Sequence, residues 1–387
     1  MNRLYRSFVL LVTLTLSTLI SVLPIAAQED ADTVYETTSD GLVYNAHSLE
    51  IDLGGFVSQA ELTTPTEGDG PFPTLILFHG TGPYDMDATY FNATGSEPLS
   101  ANFRLMAERL PEAGIAVLRF NKRGVNGLND YDMEQVQQAS SLDQLVADAD
   151  AVIEAAKALP EVDSDALYLY GWSEGAWVAA NAAQSHPEIA GLILQGAPDD
   201  AIETILDDQW LEIGLPYLTE TIDADGDGAL SIEEAAAVPS GPVGLMASYF
   251  LYDRTSTPDA PLINSFVDQS RDGLISIEEE LRPTVEMYLS NYAQFAPKVE
   301  SSYLIGELIA AAEIPTLLLH GENDGWVPAA SAQAIADAAP DFVTLNLYPG
   351  LGHALSEAEV LAEDAFFPMD SAPLDDLIMW VLSQQEQ

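Results

Sequence analysis

The chain contains no cysteine. That absence removes disulfide bonds, a thiol nucleophile and a lipid-modified cysteine from the chemistry available to it. Cations are nearly as scarce. Twelve lysines and arginines stand against 62 aspartates and glutamates, a formal net charge of −50, and the lysines are Lys122, Lys157 and Lys298 alone. A surface this acidic repels nucleic acid and anionic membranes, which excludes both as partners. Like-charge solubility accounts for the imbalance, and so does adaptation to a saline habitat where salt screens self-repulsion. Long apolar runs are missing too, with one exception. "SFVLLVTLTLSTLISVL" follows Arg3 and Arg6 and precedes the small residues of "PIAA". This arrangement predicts a signal peptide over 1–27, cleaved near Ala27, and a secreted or periplasmic mature protein with no membrane contact. The run is short for a membrane anchor, and no basic stop-transfer flank follows it.

What remains is 387 residues, 48% of them hydrophobic, enough for one large domain with an insertion or for two domains. Residues 41–64 alternate apolar and polar around Gly54-Gly55, the pattern of an antiparallel hairpin. Six short apolar runs then end in glycine or polar residues: 73–80, 115–124, 166–175, 189–198, 315–324 and 341–349. Runs of this kind are expected to be parallel strands buried on both faces. Between them, 101–112, 141–159, 175–185, 329–339 and 373–383 carry apolar residues at helical spacing. The alternation predicts a doubly wound, mostly parallel α/β sheet. It breaks over 199–312, where helical patterns replace strand-like runs. The expected organisation is a core over 28–198 and 313–387, with 199–312 inserted as a mostly helical cap above the strands' C-terminal ends.

"GWSEG" at 171–175 lies between the strand run "ALYLY" and the helical run "AWVAANAAQ". A serine on so tight a strand-to-helix turn projects its hydroxyl above the sheet, which makes Ser173 the candidate nucleophile. Such a serine needs a base, and the chain has five histidines. His353, in "YPGLGHAL" just after the last strand run, can swing toward the serine, whereas His186 ends a helix and His320 closes a strand. The orienting acid should come from "LLLHGENDGWVP", with Asp324 favoured over Glu322 because an Asp-Gly turn fixes it. Two backbone N–H groups are needed to hold a developing oxyanion. Glu174, directly after the serine, and Thr81, in "FHGTGPYD", are the candidates. His79 is expected to brace that loop.

Taken in order, "LFHGTGP", "LRFNKRG", "GWSEG", "HGENDGWVP" and "GLGHAL" resemble the α/β-hydrolase superfamily. More narrowly, the chain looks like secreted carboxylesterases and serine-aminopeptidase-like hydrolases whose oxyanion loop reads H-G-S-G-P-x-D-R-D. The resemblance covers about residues 40–198 and 313–385. It departs from the family at Thr81, at Met86 and at Asn121, where an aspartate is usual. Lys122 and Arg123 read as structural, paired with nearby carboxylates. The resemblance implies an α/β-hydrolase fold and hydrolysis of a small ester or short peptide; it does not choose among acyl substrates.

Two stretches of the insertion have the twelve-residue spacing of a calcium loop. "DADGDGALSIEE" places Asp223, Asp225, Asp227, the Ala229 carbonyl, Ser231 and Glu234 at the liganding positions. "DQSRDGLISIEE" does so with Asp268, Ser270, Asp272, the Leu274 carbonyl, Ser276 and Glu279. Leu230 and Ile275 occupy the eighth position, where paired loops share a short strand bridge. The pair resembles EF-hands and implies structural Ca2+, with no cofactor required for catalysis. The leading function is therefore an exported serine esterase. A serine peptidase or acyl-peptide hydrolase is the alternative within enzymes, and a catalytically dead calcium-binding interaction protein the alternative outside them.

Overall fold

A computed structural model describes residues 44–91, 97–139, 141–200, 202–253, 255, 261–292 and 304–385. The expected signal peptide lies outside the described residues. Among the described residues, no helix is long and apolar enough to cross a membrane.

Eight strands form the central sheet. They are β1 (Asn45–Asp52), β2 (Val57–Thr64), β3 (Phe72–Phe78), β4 (Ala116–Phe120), β5 (Val162–Trp172), β6 (Gly191–Gln195), β7 (Thr316–Gly321) and β8 (Val343–Tyr348). Their spatial order is β1-β2-β4-β3-β5-β6-β7-β8. The β1–β2 hairpin turns at Gly54 and Gly55, both at positive φ, and β2 joins β4 antiparallel. Every pairing from β4 to β8 is parallel.

The apolar runs follow from a sheet covered on both faces. Along β3, Ile76 and Phe78 enter one core layer while Leu75 and Leu77 enter the other. On β5, Leu167 and Leu169 face the first layer, and Tyr168, Tyr170 and Trp172 the second. Side chains alternate faces along a strand, so both sets must be apolar. Each fully buried leucine or isoleucine contributes roughly 1.5–3 kcal/mol before entropy is charged against it. Helices α1 (Asn102–Arg109) and α8 (Ser371–Gln384) cover one face. The other face is covered by α2 (Leu142–Lys157), α3 (Glu174–Ala182), α6 (Ile305–Ala312) and α7 (Ala329–Ala338). Strand β8 differs from the buried strand expected: it is the sheet edge, with Thr344 and Leu347 exposed.

Between β6 and α6 the chain builds a third apolar cluster around Trp210, Leu230, Met246, Ile275 and Leu281. Its helices include α4 (Pro242–Phe250) and α5 (Arg282–Tyr292). The insert touches the core at defined points. Gln209 Nε2 donates to the Trp326 carbonyl at 2.7 Å, and the Tyr217 hydroxyl donates to Glu363 at 2.6 Å. Ile305 and Ile309 of α6 are buried in the sheet-side cluster. By its packing the core therefore resumes near residue 305, ahead of the boundary at 313 drawn from the sequence.

Candidate active site

Ser173 closes β5 and opens α3 with φ 55° and ψ −121°, a backbone conformation few residues other than glycine adopt. The two glycines around it are needed for close approach. A Cβ at Gly171 would lie 2.6 Å from the Ala176 Cα, and one at Gly175 would lie 2.7 Å from the Phe78 carbonyl carbon. The elbow is pinned by the Ser173 N–H, which donates to the Gln195 carbonyl at 2.9 Å. Ser173 stays partly exposed while Trp172 before it is buried.

His353 lies over the end of β6, close enough that a Cβ on Gly196 would sit 2.7 Å from its Nδ1. Its Nδ1 is 2.8 Å from Asp324 Oδ2. The other oxygen of Asp324 accepts the Trp326 and Val327 N–H groups, each at 2.8 Å. Glu322, the sequence's alternative acid, is exposed. A second imidazole also reaches the carboxylate: His320 Nε2 is 3.2 Å from Asp324 Oδ2 and 3.0 Å from the Val327 carbonyl, to which it donates. Burial lowers the His320 pKa and keeps that ring neutral. Burial would by itself lower His353 and raise Asp324, but the charge of each and their shared hydrogen bond outweigh it. The His353 pKa is raised and that of Asp324 lowered. Trp172, Trp326 and Phe366 surround the imidazole at ring-centroid distances of 5.9, 6.4 and 5.6 Å.

Opposite the serine runs the loop after β3. Gly80 faces it so closely that a Cβ there would lie 3.3 Å from the Ser173 Cβ. His79 donates from Nε2 to the Asp85 carbonyl at 2.9 Å, and burial, helped by the Lys122 charge, pushes its pKa down to about 3. It is a neutral brace. Asn121 Oδ1 accepts the Met86 N–H at 2.8 Å, a task needing only an acceptor, which an amide performs as well as a carboxylate. Among the described residues, the Thr81 and Glu174 N–H groups have no protein acceptor.

Lys122 is more than the local salt bridge read from the sequence. Its ammonium donates to the Gly80 carbonyl at 2.8 Å and to Glu174 Oε2 at 2.6 Å. It therefore joins the two segments that carry Thr81 and Glu174. Its rarity in the chain was the only signal of this. Arg123, by contrast, is buried against Asp148 at 2.9 Å, away from the serine.

In the insert, the two acidic loops fold alike. Asp223 accepts the Gly226 and Gly228 N–H groups at 2.8 and 2.9 Å, and Asp268 accepts those of Arg271 and Gly273 at 2.6 and 3.1 Å. The loops are joined by an antiparallel pair, Ala229↔Ser276 and Leu230↔Ile275. Carboxylate oxygens of Asp223, Asp225 and Asp227 lie within 4.8 Å of one another. Glu234 folds back onto the first loop, accepting the Ala224 and Ser231 N–H groups at 2.9 Å each. In the second loop that place is taken by Glu280 and not by Glu279. Glu280 accepts the Ser270 and Ser276 N–H groups at 2.8 and 3.0 Å, while Glu279 is exposed. A π-helical turn over Ile277–Leu281 supplies the one-residue shift. Ser270 bonds to Asp268 Oδ1 at 3.1 Å, Asp272 accepts the Leu274 N–H at 3.0 Å, and Ser231 bonds to Glu234 at 2.8 Å. Among the described residues of the insert, the first loop alone gathers three carboxylates this closely; the oxygens of both loops are hard donors, which suit Ca2+.

A family model described as "Serine aminopeptidase, S33" matches residues 87–206, a stretch that includes the Ser173 elbow and ends before Asp324 and His353. Esterase EstD of Thermotoga maritima is 32% identical over 150 residues, which cover 38% of this chain and 32% of that relative. The chain thus matches about a third of the relative's length. Among solved structures, Est1E from Butyrivibrio proteoclasticus has 17% identity and a TM-score of 0.46, over 88% of this chain and 99% of that one. A dienelactone hydrolase from Anabaena variabilis has 12% identity and a TM-score of 0.45, over 88% of this chain and 98% of that one.

Proposed function

We propose that this chain is a serine hydrolase that cleaves small carboxylic esters through an acyl-enzyme. The observation that carries the reading is the strained Ser173 elbow together with a buried His353–Asp324 pair at 2.8 Å, the two linked through Gln195, whose carbonyl accepts the Ser173 N–H and whose amide donates to the His353 carbonyl. In this mechanism His353 Nε2 takes the Ser173 hydroxyl proton as Oγ attacks the ester carbonyl carbon. The carbonyl π electrons move to oxygen, which the Thr81 and Glu174 N–H groups receive. Collapse breaks the bond to the alcohol oxygen, to which His353 returns the proton. Water, deprotonated by the same imidazole, then releases the acid and restores the serine. Asp324 holds Nδ1–H toward itself, leaves Nε2 free to accept, and stabilises the imidazolium.

The insert between β6 and α6 acts as a cap, and Ca2+ is its structural ion. The first loop would hold it through Asp223, Asp225, Asp227, the Ala229 carbonyl, Ser231 and Glu234; the second through Asp268, Ser270, Asp272, the Leu274 carbonyl, Ser276 and, in place of Glu279, Glu280. The ion would neutralise carboxylates that otherwise repel one another. The N-terminal basic and apolar segment supports export with cleavage near Ala27.

A peptidase is the second reading. It is favoured by the family description. A panel of p-nitrophenyl esters against aminoacyl nitroanilides separates the two. Faster turnover of the esters is expected; faster cleavage of the anilides would transfer the assignment to peptide bonds.

A further inference from the structure

Beyond the three residues of the proposed triad, one buried carboxylate has no role yet. Asp364 is fully buried in the segment after the His353 loop. Its Oδ2 accepts two backbone N–H groups, that of His353 at 2.9 Å and that of Gly325 at 3.0 Å. Gly325 directly follows Asp324, so one oxygen atom ties the acid's loop to the base's loop. The backbone of the same residue helps, since its carbonyl accepts the Trp326 indole N–H at 2.7 Å. His353 is then held at both its backbone N–H and its carbonyl, because the Gln195 amide donates to the latter at 2.8 Å.

The other oxygen of Asp364 has no hydrogen-bond partner. It lies against Gly352, where a Cβ would collide with the carboxylate. The glycine before the base is thus required by Asp364 and not by a turn. An isolated buried carboxyl with one unsatisfied oxygen costs stability. It is placed where that cost fixes two loops 29 residues apart in sequence, those of Asp324 and His353.

We propose that Asp364 is a positioning residue that locks Asp324 and His353 in register and whose negative charge supports the protonated form of His353. This rests on the triad reading above. The titratable groups facing Asp364 are Asp324 and His353, with Tyr90 across the site. Burial, followed by the Asp324 charge, raises its pKa to about 7, so it ionises in the range where His353 works. Among the groups that raise the His353 pKa, the Asp364 charge follows the charge and hydrogen bond of Asp324 as a smaller contribution. Removing that charge must therefore lower the His353 pKa, and activity must persist to lower pH.

The test compares Asp364→Asn, Asp364→Ala and Gly352→Ala by kcat and KM on a p-nitrophenyl ester across about pH 5–9, alongside melting temperature. Asp364→Ala and Gly352→Ala should each lose about 100-fold in kcat with KM within about threefold, as expected of a misplaced base. Asp364→Asn keeps an oxygen for both N–H groups. It should stay within about tenfold of wild type and move the acid limb of the kcat/KM profile down by roughly half a pH unit. The Asn variant carries the decision if the others fold poorly. An acid limb that stays in place, or an Ala variant with kcat within about threefold, overturns the proposal. Ser173→Ala run in parallel keeps the two claims apart: activity surviving there would remove the triad itself.

Discussion

Replacing Asp324 by asparagine exchanges one oxygen for an NH2 group, and the surroundings dictate which way the amide must face. Oδ1 accepts two backbone N–H groups at 2.8 Å, from Trp326 and Val327. An amide nitrogen placed there would face two donors, leaving both N–H groups unsatisfied at roughly 1–3 kcal/mol apiece. The amide oxygen must take that position, which sends Nδ2 toward His353 Nδ1 at 2.8 Å. An NH2 group can only donate there. The imidazole is then forced to carry its proton on Nε2, where it cannot take one from Ser173. His320 Nε2, 3.2 Å from the same oxygen, adds a second donor facing the amide. Loss of the reactive tautomer in a comparable Ser-His-Asp site costs about 10⁴ in kcat, roughly 5.4 kcal/mol of barrier. We therefore expect Asp324→Asn to lose at least about a thousandfold in kcat on a p-nitrophenyl ester with KM little changed. Stability should fall less, because the Oδ1 bonds survive. The assay is steady-state kinetics with active-site titration. A loss below about tenfold, or a greater loss from Glu322→Gln, would refute the assignment of the acid and the argument for its orientation.

Lys122→Met removes the donor to the Gly80 carbonyl and to Glu174, so kcat should drop about 10- to 100-fold and stability about 2–3 kcal/mol, read by kinetics and denaturant melts. An unchanged kcat in a destabilised variant would make Lys122 structural only. For the cap, chelation should lower the melting temperature; calcium at a hundred times its dissociation constant adds about 2.7 kcal/mol to the folded state. Glu234→Gln and Glu280→Gln should each reduce the calcium-dependent melting shift while Glu279→Gln leaves it intact. The reverse order at 279 and 280 would restore the unshifted loop.

The sheet was legible because burial on both faces forces continuous apolar runs, and those runs are visible without a structure. The elbow was legible for a local reason: Gly171 and Gly175 are required within two residues of Ser173. Register inside the second acidic loop was not. "IEEEL" offers three consecutive glutamates, and only the π-turn that buries Ile277 and Leu281 selects Glu280. Asp364 was hidden differently. It is one of 62 acidic residues, and the two groups it holds lie 11 and 39 residues away with no local pattern joining them to it. Helix α6 continued the helical character of the insert, so composition could not show that it packs on the sheet. The edge position of β8 likewise depends on strand order, which periodicity does not encode.

Nucleophilic attack by Ser173 is the claim on which the rest depends, and covalent trapping tests it most directly. The protein is treated with a fluorophosphonate, digested, and the modified peptide mapped by mass spectrometry. The account predicts a single adduct on Ser173, competed by ester substrate, with labelling and hydrolysis both abolished in Ser173→Ala. Labelling elsewhere, or hydrolysis by Ser173→Ala at even a tenth of the wild-type rate, roughly 1.4 kcal/mol of barrier, would contradict it.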